Sequence, residues 1–87
     1  MSQEDERALL MDRIQAGRSI LLKEQEDLKR VASRCEEIIV FVGGEEAARK
    51  LSPTLFEEWQ LRDKNVKEIA RLLHDLTQKY NALGAET

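Results

Sequence analysis

The sequence predicts an all-α fold, an antiparallel helical hairpin of two long helices with a short helical turn at the bend, and three observations point there. Hydrophobic residues make up 41% of the 87 residues and charged residues 36%, which is the composition of long solvated helices more than of a sheet protein or a disordered tail. Apolar residues recur at alternating steps of four and three over two long stretches, the spacing of one helix face. Between those stretches stand Gly43, Gly44 and Pro53, three of the chain's five helix breakers, so the chain bends once, in the middle. A chain of this length makes one domain, here 1–87, and has no room for a generous core.

The first helix is expected over about 3–42. Ser2 is a good N-cap, and Glu4, Asp5 and Glu6 put negative charge on the positive end of the helix dipole. Ile14, Leu21, Leu28, Cys35 and Val42 are seven apart and form one row of the buried seam; Leu10, Gly17, Glu24, Val31 and Ile38 form the other. Gly17 marks either a close approach by a larger side chain or a tolerated kink. Glu24 either pairs with a base across the seam or, the preferred reading, snorkels to its edge. The run EEIIVFVGG is ambiguous, because β-branched residues before glycines resemble a buried strand leading into a phosphate loop. No second strand is available to pair with it, Glu45 and Glu46 would repel a phosphate, and the heptad phase continues through Ile38 and Val42. It is read as helix, the alternative being a strand formed across a dimer.

The bend covers 43–52. Gly43 or Gly44 supplies the left-handed residue that ends the first helix, and a short helical turn follows with Glu45/Arg49 and Glu46/Lys50 at four-residue spacing. Ser52 as N-cap, Pro53 at the first helical position and a Leu51–Phe56 staple start the second helix, expected over about 53–83. Its seam is Leu55, Trp59, Arg62, Val66, Ile69, Leu73, Leu76, Tyr80 and Leu83, with Gly84 as a stop. Folding back at Pro53 places Trp59 near Cys35, Val66 near Leu28, Leu73 near Leu21, and Leu76 or Tyr80 near Gly17.

Chemistry is sparse along this chain. His74 has no partner ligand at three- or four-residue spacing on its face, so no metal is expected. Cys35 falls on the seam and reads as a small buried hydrophobe, and the serines have no activating neighbours. No catalytic residue and no cofactor are expected. Arg62 and Glu24 on the seam give a distant alternative, since the chain resembles small helical chorismate mutases in length and helix content and that resemblance implies a charged pocket in a bundle. The bases Lys29, Arg30 and Arg34 are mixed with acids, Glu26 pairing with Arg30, and the net charge is −3, which argues against nucleic acid. The longest apolar run, 38–42, is far too short to enter a membrane, the first ten residues are acidic where a secretory signal would be basic, and a lone cysteine fits a reducing compartment. Cytoplasmic location is the expectation.

What remains is apolar surface. A two-helix hairpin buries one narrow stripe on each helix, yet Met11, Ile20, Leu22, Ile39, Val40, Phe41, Phe56, Leu61 and Leu72 lie outside the seam. Five consecutive apolar residues at 38–42 point all round a helix, so that end is expected to be enclosed on several sides. A second copy completing a four-helix bundle, or a helical protein partner, would cover this surface. The partner-binding residues predicted are Ile39, Val40, Phe41, Phe56, Trp59 and Leu61. In size and helix pattern, with no shared motif, the chain resembles the small helical-hairpin chaperones and adaptors of secretion and flagellar systems. The expected function is that of a non-enzymatic interaction module, the alternative a self-contained structural homodimer.

Overall fold

A computed structural model describes residues 2–85, and these form three helices and no strand: α1 (Gln3–Val42), α2 (Glu45–Leu51) and α3 (Pro53–Ala85). The two long helices lie side by side as a hairpin whose extents are 59 × 16 × 16 Å. None of the helices is long and apolar enough to cross a membrane.

Local chemistry sets both ends of α1. Extended Ser2 accepts a hydrogen bond from the Asp5 N–H at 3.3 Å on its side chain and one from the Glu6 N–H at 3.1 Å on its carbonyl, which satisfies amides left over at a helix start. At the other end Gly43 has φ 82, a left-handed conformation that would strain any residue with a Cβ. The N–H groups of Gly43 and Gly44 both donate to the Ile39 carbonyl, at 2.9 and 3.1 Å. Residues 38–42 are therefore helix throughout, as the unbroken heptad phase requires.

The bend differs from the expectation in detail. Ser52 links α2 to α3 through its backbone: its N–H donates to the Ala48 carbonyl at 3.0 Å and its own carbonyl accepts the Phe56 N–H at 3.3 Å. Its hydroxyl makes no hydrogen bond among the described residues. Leu51 is 60% exposed and no staple closes on Phe56; instead the Arg49 guanidinium lies 5.2 Å from the Phe56 ring centre, held there by Glu45 at 2.7 Å. Glu46 and Lys50 pair at 3.7 Å.

The core is concentrated at this end. Cys35, Ala48 and Phe56, one residue from each helix, form its buried centre, with Val31, Ile38, Ile39, Val42, Leu55 and Trp59 packed around it. The Phe56 and Trp59 rings meet at 5.9 Å with a 58° tilt. Ile14, 2% exposed, is the other fully enclosed side chain of α1.

The register is offset by about one helical turn from the one expected. Leu73 faces Gly17, where an added Cβ would stand 2.6 Å from Leu73 Cδ2; it does not face Leu21. At the other end the Cys35 thiol points at the Leu55 carbonyl, 3.9 Å away, although Trp59 still packs on the same cluster. The cause is α2, which occupies the width of the bend and lets α3 begin about level with Glu37. The last turn of α1 consequently projects past the start of α3. Gly17 is a close-approach site, as one of its two readings held, but the intruding side chain is Leu73 and not Leu76 or Tyr80. Gly84 is not a stop: it lies inside α3, and a Cβ there would come within 2.8 Å of an Arg7 guanidinium nitrogen.

Candidate interaction surface

The six residues predicted to bind a partner divide into three groups. Val40 and Phe41, on the projecting turn of α1, are 81% and 84% exposed, the most open large apolar side chains of the chain's described residues. Leu61, on α3, is 57% exposed. Ile39 and Trp59 are half-buried against the bend core. Phe56 is 2% exposed and belongs to the inside of the bend, so it presents no surface. Its placement follows from α2, which folds Ala48 and Arg49 over it; periodicity on α3 alone cannot reveal that cover. For the same reason 38–42 is enclosed on one side only, where Ile38, Ile39 and Val42 meet the core.

Ile20, Leu22 and Leu72, all expected off the seam, are 54%, 63% and 49% exposed, and Leu9, which was not among the residues expected there, is 44% exposed. Leu22 borders an open groove of about 700 Å³ whose walls include Leu28, Ala32, Trp59 and Val66. Leu9, Ile20, Phe41, Leu61 and Leu72 lie on the other side of the hairpin. Ile20 and Phe41 share a heptad row with Asp27, and Leu72 shares one with Glu58. Both of these acids reach Arg62, so their rows flank the seam together.

Arg62 is the polar centre of the seam. Its guanidinium lies 3.1 Å from Glu58, 3.4 Å from Asp27 and 3.5 Å from Glu24, so Glu24 pairs across the interface and does not snorkel away. The Glu58 hydrogen bond, followed by the charges of Asp27, Glu58 and Glu24, raises the arginine pKa despite desolvation. Asp27 also accepts from Arg30 at 2.7 Å, taking the place expected for Glu26. Three carboxylates thus surround one guanidinium. Near the open end the Arg7 guanidinium stacks 4.2 Å over the Tyr80 ring.

Cys35 is fully enclosed, and burial pushes its thiol pKa above the usual range; Arg49 opposes the shift, while Glu58 and Glu36 add to it. A protonated, inaccessible sulfur is a packing group. Among the described residues no cluster of three or more histidine, cysteine or acidic side chains could hold a metal ion. His74 is exposed on α3. Compared with protein-family models, curated proteins and solved structures, the chain matches none.

Proposed function

We propose that this protein is a non-enzymatic protein–protein interaction module, a small helical adaptor, chaperone or assembly subunit, that binds through the apolar surface of its helices. One observation carries the reading. Eight large apolar side chains are 44–84% exposed, while the buried apolar core of the described residues is Ile14, Cys35, Ala48 and Phe56. At roughly 25 cal/mol per Å², covering several such side chains is worth a few kcal/mol, comparable to the stability of a small domain. The Val40–Phe41 tip and the Leu61 side of α3 are the surfaces assigned to contact. A reducing, cytoplasmic setting suits the single buried thiol.

A structural homodimer is the second reading, favoured by the gathering of five of the eight exposed side chains on one side of the hairpin. Sedimentation and hydrophobic-dye binding on the purified chain at micromolar concentration test the proposal. Either a stable oligomer or a folded monomer that binds dye strongly is expected. A folded monomer that binds no dye would mean that this surface attracts nothing, and the proposal would fall.

A further inference from the structure

We infer that the side of the hairpin bearing Ile20 and Leu72 binds a second copy of this chain about a two-fold axis parallel to the helices, with the two bends at the same end and α1 of each protomer against α3 of its partner. The inference rests on the interaction-module reading and names the occupant of one face.

The first ground is the shape of the apolar surface. Leu9 and Ile20 are eleven residues apart on α1, and Leu61 and Leu72 are eleven apart on α3, which is three turns in each case. The observed register brings Ile20 level with Ile69 and Ala70, and Leu72 level with Gly17 and Arg18. The two rows thus flank one stretch of the seam. A face of 59 by 16 Å is also adequate for the roughly 800 Å² per partner that stable complexes bury.

The second ground is charge, and it selects both the occupant and the orientation. On this side α1 carries Arg13, Lys23, Arg30 and Arg34 together with Glu6, Asp27 and Glu37, and α3 carries Glu58, Glu68 and Asp75 together with Lys79. Arg30 and Arg34 have Asp27 and Glu37 beside them at 2.7 and 3.7 Å, Glu58 pairs with Arg62, and Glu68 and Asp75 both pair with Arg71, whereas Arg13 and Lys23 have no ion-pair partner among the described residues. A two-fold axis along the hairpin preserves height, so α1 meets the partner's α3 in the register already present within one chain. Arg13 then stands within about two residues, or about 3 Å of helix rise, of the partner's Asp75, and Lys23 within the same distance of the partner's Glu68. Lys79, the exception on α3, stands as near the partner's Arg13 as Asp75 does, and about a turn and a half from the partner's Glu6. A dimer with bends at opposite ends sets α1 on α1 and α3 on α3. The acids of α3 would then face acids, and the bases of α1 would lose the acids that lie opposite them in the other arrangement.

The experiment combines sedimentation velocity with two sets of variants of the full chain. Unmodified protein should be a dimer at micromolar concentration. Arg13→Glu with Lys23→Glu, and separately Glu68→Lys with Asp75→Lys, should each keep helical circular dichroism and weaken self-association about tenfold or more. Mixing the two variants should restore the dimer, because both contacts become attractive again. Spin labels at Ala47→Cys, in a Cys35→Ala background, should lie much closer together than the 59 Å length of the hairpin. Labels separated by about that length would overturn the inference, as would charge-reversed variants that dimerise as well as the parent. A monomer that binds hydrophobic dye would also overturn it, while leaving the interaction-module reading standing; a monomer that binds none would end both.

Discussion

Gly17 is the seam position where a missing side chain is used. A helix interior favours alanine over glycine by about 1 kcal/mol, yet a Cβ here would stand 2.6 Å from Leu73 Cδ2 and 3.2 Å from its Cγ. The methyl can rotate away more easily than the branch carbon can move, so overpacking of about 1–3 kcal/mol outweighs the propensity gain. Gly17→Ala should therefore destabilise the protein in chemical denaturation. In a Leu73→Ala background the same change should stabilise by about 1 kcal/mol, and a double-mutant cycle without that reversal would remove Leu73 as the cause. Cys35 offers a second test. Its enclosed thiol, held protonated by burial, should resist alkylation in native protein at mildly alkaline pH and react at once in denaturant. Because its folded pKa is raised, its contribution to stability is fully present below the ordinary thiol range and is lost as pH rises toward the folded value.

At the scale of the helices, the ends and faces were legible because their causes are local. Ser2 with Asp5 starts α1, Gly43 with its positive φ stops it, and Glu45 with Arg49 steadies α2; each needs only neighbours in sequence. Heptad phase likewise decided that 38–42 is helix. The partner of Glu24 was not legible, because it depends on which residue of α3 comes level with it. That residue is Arg62, and it holds Glu24, Asp27 and Glu58 together. Arg62→Leu should leave three carboxylates close to one another across the seam, Asp27 retaining Arg30. The variant should be less stable than the parent at low ionic strength, and the deficit should shrink as added salt screens the repulsion among the carboxylates. Thermal melts of both proteins over a range of salt would check the sign, and a deficit independent of salt would point to packing instead.

At the scale of the whole molecule the two phenylalanines separate core from contact. Phe56 is enclosed by α2, so Phe56→Ala should cost about 3–5 kcal/mol, enough to unfold a hairpin of this size. Phe41 is 84% exposed on the projecting tip, so Phe41→Asp should preserve helix content while reducing hydrophobic-dye or partner binding. A Phe41→Asp protein that fails to fold would place that ring in a core. Sequence patterning put both rings off the seam and among the contact residues, although Phe56 was also expected in a staple with Leu51. They differ because α2 crosses the end of the hairpin on one side and leaves the other side open.

The amino-acid sequence by itself determined the all-helical class, the limits of three helices to within a residue or two, the seam on each long helix and the excess of apolar surface. All of these follow from interactions within a few residues along the chain. The tertiary structure alone decided the pairing of α1 with α3, because the register depends on how much width the short helix α2 takes up in the bend. That offset put Leu73 on Gly17 and Arg62 beside Glu24 and Asp27, and left Val40 and Phe41 beyond the reach of α3, while α2 enclosed Phe56. Which apolar residues remain to meet a partner is thus set by one seven-residue helix, whose position no local rule specifies.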